Sequence, residues 1–501
     1  MRTLGMLLRG MGVSIAPKAL TFSVSGIACD SKQVRPGHLF VAIKGSAQDG
    51  ASYIPEALAR GAIAVVTERD FPSDAKTVKI LVKDARQTLA VLCDRYYGSP
   101  SSALRVIGIT GTNGKTTTSY LIASILKEAG HRVGIIGTIG HQVGDRLIPT
   151  QNTTPGLHEL QALLAQMVQA RADYAAVEVS SHALDQRRVE GIRFRAAVFT
   201  NLTQDHLDYH RTKDAYFRAK RRLFESLEKG ATAVLNADDP YSDDIAKATQ
   251  ATSLTYGLRN KADIFTAPDS IQMSLGGLSF EAVTPQGLLS IRSSLIGLHN
   301  VYNLLAAIGI GISEGIASTV IQEGLFRLKE VPGRLEKIDA GQPFHVFVDF
   351  AHTEDALRAT LSSLRKLASG RILVVFGCGG DRDRSKRPKM AEAVASFSHW
   401  AVVTSDNPRS ENPQAILKEV EVGFPASFSY CLEEDRARAI EKALLAAEPG
   451  DIVLVAGKGH EAYQVFKNHT VPFDDRKIVY EILSRSRYSE SHGRTMSSGR
   501  C

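Results

Sequence analysis

Gly108-Ile-Thr-Gly-Thr-Asn-Gly-Lys-Thr-Thr-Thr118 is the stretch on which the fold turns. An apolar run of strand length, Arg105–Thr110, leads into it, and a helix over Thr116–Ala129, closed by Gly130, leads out. A strand, a glycine-rich loop and a helix in that order aim backbone N–H groups and a helix N-terminus at an anion. A chain of phosphates suits such a cradle. Lys115 can reach the outer phosphates, and the Thr116 hydroxyl is placed to hold Mg²⁺. The commonest nucleotide-loop spacing would put glycine at position 109, where Ile109 stands; the glycines here are Gly108, Gly111 and Gly114. The alternative is a plain glycine turn between strand and helix.

Outward from this loop, apolar strand runs alternate with amphipathic helices. Arg132–Gly137, Tyr174–Val179, Ala196–Thr200 and Ala233–Leu235 are the further runs of a central block spanning 104–332. Such alternation predicts an α/β fold with a mostly parallel sheet. Residues 253–296, with Gly-Gly and Pro-Gln-Gly turns, read as appended antiparallel hairpins. The block before it, 1–103, has short runs (His38–Ile43, Ala62–Thr67, Ile80–Val82) and closes in the turn-rich linker Tyr97–Ser102. Past a boundary at Val331-Pro332-Gly333, a third block, 333–483, alternates again through Phe344–Phe350, Arg371–Phe376, Trp400–Thr404 and Asp451–Ala456. The Ser/Arg/Gly-rich tail 484–501 reads as disordered.

Three blocks agree with 501 residues at roughly 150 per domain. A composition of 44% hydrophobic and 23% charged residues excludes wholesale disorder. The formal net charge is +7, much of it in the tail, where Arg485, Arg487, Arg494 and Arg500 face only Glu490. The nearly neutral body argues against a nucleic-acid partner and suits small anionic substrates. Cys29, Cys93, Cys378, Cys431 and Cys501 form no CxxC pair, which reads as reduced cytoplasmic thiols. No run approaches the roughly 20 apolar residues of a membrane span, and the opening MRTLGMLLRGMG is too short and too broken by Arg9 for a secretory signal.

Polar motifs follow the other strands. Glu178-Val-Ser-Ser-His leaves one; Glu178 is either a strand-end acid in ordinary hydrogen bonds or a Mg²⁺ ligand facing the phosphate loop. Thr200-Asn-Leu-Thr-Gln-Asp-His-Leu-Asp-Tyr-His210 crowds Asp205, His206, Asp208 and His210, which suits either a metal or helix capping with solvated histidines. Lys220, in Arg218-Ala-Lys-Arg-Arg222, reads alone as a solvated basic face. In the third block Asp349-Phe-Ala-His, Gly377-Cys-Gly-Gly-Asp-Arg382, Asp406-Asn-Pro-Arg409 and Gly457-Lys-Gly-His-Glu461 each end a strand. In open parallel sheets ligands gather past the strands' carboxyl ends. Arg409 and Glu461 carry opposite charges there, as a zwitterion with a carboxylate and an ammonium requires.

These motifs, with Asn300-Val-Tyr-Asn303 and Pro332-Gly-Arg334, resemble the Mur ligases in order and spacing over residues 20–483. The resemblance implies three domains: a UDP-sugar domain, a central ATPase domain and a Rossmann-like C-terminal domain. It implies an ATP-dependent ligase that adds meso-diaminopimelate to the D-Glu γ-carboxylate of UDP-MurNAc-L-Ala-D-Glu. ATP would phosphorylate that carboxylate, the amine would attack the acyl phosphate, and phosphate would leave. A bare carboxylate is too poor an electrophile for direct amide formation; phosphorylation supplies the leaving group.

Position by position, the resemblance puts Gly111, Thr112, Asn113, Gly114, Lys115, Thr116 and Thr117 on the ATP phosphates, with Asn300, Arg334 and Asp349 on adenine, phosphate and ribose. Thr116 and Glu178 would hold one Mg²⁺ and His206 a second, and Lys220 would be carbamylated and orient magnesium; Lys115, His206 and Lys220 are the catalytic candidates. Ser31, Ser46, Ala47 and Gln48 match UDP-sugar positions; Asn152, Thr153, Thr154, Ser180, Gln186 and Arg188 match muramoyl-dipeptide positions. Arg382, Asp406, Asn407, Pro408, Arg409, Gly457 and Glu461 would take diaminopimelate, Arg409 pairing with the distal carboxylate that lysine lacks. The partners expected are three small molecules on a monomer. A sister ligase of the same chemistry, or a nucleotide-binding module that hydrolyses ATP without ligation, are the rival readings.

Overall fold

A computed structural model of the chain describes residues 2–45, 48–74, 77–150 and 152–485. The expectations for Ser46 and Ala47, and for the tail beyond Arg485, lie outside the described residues. Strands β1 (Gly26–Ala28), β2 (His38–Val41), β3 (Ala64–Thr67) and β4 (Val78–Leu81) form a four-stranded parallel sheet in that order. Helix α1 (Ala85–Tyr97) follows. Asp84 caps its first turn by accepting from the Gln87 N–H at 2.8 Å, and Gly98 ends it at φ 82°.

The central sheet is built on β5 (Arg105–Thr110), β6 (Val133–Ile136), β7 (Tyr174–Glu178), β8 (Phe194–Phe199), β9 (Thr232–Asn236) and β10 (Thr252–Gly257). Its parallel order is β6-β7-β5-β8-β9-β10. Among these strands β5, β7, β8 and β9 are buried along nearly their whole length, as the unbroken apolar runs require of a sheet covered on both faces. Helix α2 (Lys115–Glu128) packs on one face with α3 (Leu298–Ser313), while α4 (Lys213–Glu225) lies on the other. The chain passes from β7 to β8 across β5, so the order reverses around β5. A crevice opens there at the strands' carboxyl ends, where the phosphate loop stands.

The hairpin expectation for 253–296 is corrected in part. Thr252–Gly257, reached from β9 through the helix Ser242–Ala248, and Ile264–Thr266 continue the sheet in parallel; antiparallel pairing begins where Ile264–Thr266 also meets Gly277–Thr284 and continues through Gln272–Ser274 and Gly287–Ser293. Tyr256 is buried and donates its OH to the Phe199 carbonyl, which ties this edge into the core. The linker expected at Tyr97–Ser102 is also shorter than it reads, because Pro100 opens a helical turn, Pro100–Ala103.

In the last part, β11 (His345–Asp349), β12 (Ile372–Cys378), β13 (Trp400–Ser405) and β14 (Ile452–Ala456) run parallel in the order β11-β14-β12-β13. Helix α5 (Arg436–Ala446) and the last helix, α6 (Asp475–Arg485), cover one face. α6 carries Ser484 and Arg485, so the start of the expected disordered tail is helical instead: Val479 and Leu483 pack inward and hold its final turns.

Candidate active site

The phosphate loop is shaped by two glycines with positive φ, Gly111 at 150° and Gly114 at 88°. A Cβ on Gly114 would sit 2.4 Å from Asn303 Oδ1, so the loop is closed over α3. Lys115 folds back on the loop and donates Nζ to the Gly111 and Thr112 carbonyls, both at 2.9 Å. Lys220, 1% exposed on α4, donates to the same Gly111 carbonyl at 2.7 Å. Two amines thus share one acceptor in a dry place. Burial, then the Lys115 charge, push the Lys220 amine well below its ordinary range. The solvated basic face that its neighbours suggest is therefore not its environment.

Glu178 ends β7 beside this loop and is 0% exposed. Its carboxylate accepts from the Thr116 hydroxyl (2.9 Å), the Thr138 hydroxyl (2.9 Å) and the Thr138 N–H (3.0 Å). Among the described residues no lysine or arginine forms an ion pair with it. Three hydrogen bonds hold the carboxylate, Lys115 and Arg334 lie close enough to feel its charge, and the oxygen-rich set Thr116–Glu178 fits Mg²⁺. Arg334, from the segment before β11, donates Nη2 to the Thr116 hydroxyl at 3.1 Å and lies 4.4 Å over the Phe350 ring. The third block thereby reaches the phosphate loop directly.

The Asp205–His210 cluster divides. Asp205 and His206 are 3.4 Å apart, Asp208 is exposed, and His210 shares a 3.0 Å hydrogen bond with Ser181. Among the described residues no group of three or more His, Cys, Asp or Glu is arranged as a metal centre, so the compact four-residue site is not formed. His206 takes a left-handed turn, φ 55°, before the short helix Leu207–His210, and its ring and that of His210 both pack on His182. His206 itself is pushed down to about 3, chiefly by loss of water around it, although one edge stays open. A neutral imidazole of that kind can offer a lone pair.

Thr154, Ser180, Gln186 and Arg188 come together. Thr154 donates to the Glu178 carbonyl (2.7 Å), the Ser180 N–H donates to Thr154 Oγ1 (3.0 Å), and Arg188 joins the Thr154 carbonyl (2.8 Å) to Gln186 Oε1 (2.7 Å). Thr153 shares a 3.0 Å hydrogen bond with Thr138, and Asn152 is exposed beside it. Ser31 stands apart in the first sheet's loops and donates to Glu56 at 2.7 Å; Gln48 is exposed, its carbonyl accepting from Gly45. Asn300 is buried with both polar ends engaged, by the Ile296 carbonyl and by Asn303. Asp349 accepts from the Leu335 and Ala351 N–H groups, fixing the loop past β11.

The last sheet gathers the remaining set past its strand ends. Arg409, at φ 53°, is held by its own N–H to the Val465 carbonyl (3.0 Å) and by Nη1 to the Gly380 carbonyl (2.8 Å). Its Nη2 and Nε make no hydrogen bond among the described residues. Arg382 is exposed and near enough for its charge to be felt at Arg409. Asn407 donates to Glu461 Oε2 at 2.8 Å. Asp406 and Pro408 are buried, and a Cβ on Gly457 (φ 114°) would stand 2.7 Å from Asp406 Oδ2, so this glycine permits the close approach of two loops.

Family models match in three places: the Mur ligase family catalytic domain at 23–97, the Mur ligase middle domain at 109–311 and the glutamate ligase domain of Mur ligases at 333–459. A protein of Syntrophomonas wolfei subsp. wolfei named UDP-N-acetylmuramoyl-L-alanyl-D-glutamate–2,6-diaminopimelate ligase is 44% identical over 481 residues, 95% of this chain and 98% of its own. The chain belongs to the Mur ligase family. A solved structure bearing the same enzyme name is 34% identical and superposes with a TM-score of 0.69, covering 97% of this chain and 99% of its own. At 19% identity the fold alone is shared with the MurF ligase of Thermotoga maritima, solved in complex with ADP, at a TM-score of 0.63 over 93% of this chain and 97% of that one.

Several residues that position this Mur ligase site carry weak sequence signals. Thr138 gives Glu178 two of its three hydrogen bonds, yet Gly137-Thr-Ile-Gly140 reads as a turn. Asn303 lies one helical turn beyond Asn300, and the i, i+3 spacing could have paired them. His460 packs on Phe350 and lies near enough the Thr138 backbone to feel it, joining the third block to the central one. Arg86 donates to the Lys44 and Gln186 carbonyls, at 2.9 and 3.1 Å, and so ties the first block to the loop carrying Arg188.

Proposed function

We propose that this Mur ligase joins meso-diaminopimelate to the γ-carboxylate of the D-glutamyl residue of UDP-N-acetylmuramoyl-L-alanyl-D-glutamate, with ATP as phosphoryl donor, in peptidoglycan precursor synthesis. The observation that carries it is the 44% identity over 481 residues to an enzyme of that name. The geometry supports a role for each group of residues.

Backbone N–H groups from Gly111 to Thr117, with Lys115 swinging off its loop carbonyls, take the ATP phosphates. Thr116 and Glu178 would hold one Mg²⁺, and His206 would offer a lone pair to a second. When bound, the metal shields phosphate charge and polarises the transferred phosphoryl group. Burial and the Lys115 charge favour the uncharged amine of Lys220, the form that adds to carbon dioxide: the lone pair attacks the carbon, one proton leaves, and a carbamate replaces a would-be ammonium. The anion then pairs with Lys115 where two amines now crowd one carbonyl. Arg334 supports the phosphates through its reach to Thr116. Asn300 acts through Asn303 on the loop at Gly114, and Asp349 keeps the ribose side of the cleft in place.

The dipeptide lies along Asn152–Thr154, Ser180, Gln186 and Arg188, and the uridine end along Ser31 and Gln48, the two joined across Arg86. The amino acid sits between Arg409 with Arg382, which take its distal carboxylate, and Glu461 with Asp406 and Asn407, which take the distal ammonium, over Pro408 and Gly457. The enzyme is proposed to act as a cytoplasmic monomer; no helix among the described residues is long and apolar enough to cross a membrane. The test is phosphate release from ATP in the presence of the UDP-dipeptide and a panel of amino acids. Release that needs both the dipeptide and diaminopimelate is expected; release without either, or equal use of lysine, overturns the reading.

A further inference from the structure

The loop Gly457–Glu461 contains one charged group that the roles above leave unused. Lys458 is 0% exposed. Its Nζ donates to Glu461 Oε2 at 3.0 Å and to Asn407 Oδ1 at 3.2 Å, and stands 5.7 Å from the centre of the Tyr463 ring. Asn407 completes a closed set: its Nδ2 donates to the same Glu461 oxygen at 2.8 Å, and its Oδ1 also accepts the Val465 N–H at 3.0 Å. Lys458 is too deeply enclosed to meet a substrate. Its whole effect on chemistry must pass through Glu461 and Asn407.

The two oxygens of Glu461 are therefore unequal. Oε2 is taken by two donors from inside the protein, while Oε1 has no hydrogen-bond partner among the described residues and the side chain keeps 20% of its surface open. A carboxylate on a free loop would turn and share both oxygens with water. Anchored from behind by an ammonium and an amide, it can present one oxygen in one direction without reorganising when a cation arrives.

We propose that Lys458 is a positioning residue that locks Glu461 so that Oε1 receives the ammonium at the distal end of the incoming amino acid, and that Lys458 thereby sets the preference for an amino acid with two zwitterionic heads. The proposal rests on the diaminopimelate reading above. A purely structural lysine would support the loop for any amino acid; a positioning lysine matters only when an ammonium is there to be held.

The test compares diaminopimelate with 2-aminopimelate, which keeps the reacting amine and both terminal carboxylates and lacks only the distal ammonium. In Lys458→Met, kcat/KM for diaminopimelate falls about 10–100-fold, as for other groups that orient a primary contact, mainly through KM. With 2-aminopimelate it changes by less than about threefold, and KM for ATP is unchanged. Lys458→Gln, which keeps a donor toward Glu461 Oε2, falls between wild type and Lys458→Met, and it carries the same comparison should the methionine variant not fold. Equal losses with both amino acids, or no loss with diaminopimelate, overturn the proposal. Wild-type phosphate release indifferent to diaminopimelate overturns the functional reading itself, and is measured first.

Discussion

Replacing Arg409 by alanine isolates the group proposed to read the distal carboxylate. The loop has reason to survive the change. Arg409 is fixed by its backbone, through the N–H to Val465 and the neighbouring bridge to Phe466, and its φ of 53° is already tolerated by a residue with a Cβ. Among the described residues the guanidinium gives one hydrogen bond to protein, to the Gly380 carbonyl, an acceptor that water can take over when the arginine is gone. What is lost is a charge-assisted contact to substrate. Truncating one partner of such a pair costs about 2–5 kcal/mol. Arg409 is only half-buried, with Arg382 nearby to supply part of the positive field, so the lower half of that range applies. About 2–3 kcal/mol is a fall of roughly 30–150-fold in kcat/KM for diaminopimelate, at 1.36 kcal/mol per factor of ten. Lysine has no carboxylate to lose and is spared the repulsion of its ammonium by the guanidinium, so its kcat/KM stays level or rises. The ratio of the two, from initial rates of phosphate release at saturating ATP and UDP-dipeptide, should fall by at least about 30-fold, with KM for ATP unchanged. A loss shared equally by diaminopimelate and lysine, or an unchanged ratio, would refute the assignment.

Three further outcomes follow from particular contacts. Lys220→Ala should lower turnover by about 10–100-fold or more with the fold intact, and ¹³C-labelled bicarbonate should yield a carbamate resonance in the wild type that the variant lacks; the same resonance in both would remove Lys220 from that role. His210 is held down to about 4 by burial and by His182, so the unfolded chain binds a proton there that the native state refuses between roughly pH 6.5 and 4. Native stability should therefore fall as pH drops through that window, by up to about 3 kcal/mol from this group, and His210→Asn should flatten the urea midpoint against pH; an unaltered slope would show that His210 is not the cause. Asp475→Asn strips the partner from Arg436, a buried pair joined by two 2.7 Å hydrogen bonds, at a cost of about 3–5 kcal/mol. Amide exchange in Ile452–Ala456 should accelerate while the strand Arg105–Thr110 keeps its protection, and uniform acceleration in both would contradict a local effect.

The parallel strands were legible because each is an apolar run buried on two faces, and a run of that kind has few other homes. The helix over the phosphate loop begins one residue earlier than its pattern suggests, at Lys115, since Gly114 takes a left-handed turn that no periodicity records. The edge at Thr252–Gly257 read as a hairpin because alternation marks any strand with one open face and says nothing of direction. Direction was set by the short helix Ser242–Ala248, which carries the chain back across the sheet. Of the motif residues, Glu178 ends a strand, Lys220 stands on a helix, and Arg334 and Glu461 lie in the turn and loop that reach the cleft. Their supports are a different matter. Thr138 serves Glu178 through a backbone N–H as well as a hydroxyl, and almost any residue can supply the former.

The same asymmetry explains why the polar cluster Asp205–His210 misleads. Dense spacing does not by itself make a metal centre: here Asp208 is exposed and His210 is tied to Ser181, so among the described residues no three-ligand group forms. Conversely Thr116, Glu178 and Arg334 are separated by 62 to 218 positions and meet within hydrogen-bond distance. The central sheet brings Thr116 and Glu178 together, because β5 and β7 are paired and both end at the crevice. Arg334 arrives by another route: the turn at Pro332-Gly333, where a Cβ on Gly333 would collide with the His460 amide, presses the start of the third block against its own amino-acid loop. One turn thus places an arginine on the phosphate loop and braces the loop that carries Lys458 and Glu461. Substituting Gly333 should therefore disturb ATP and amino-acid use together, whereas Lys458 and Arg409 act on the amino acid alone.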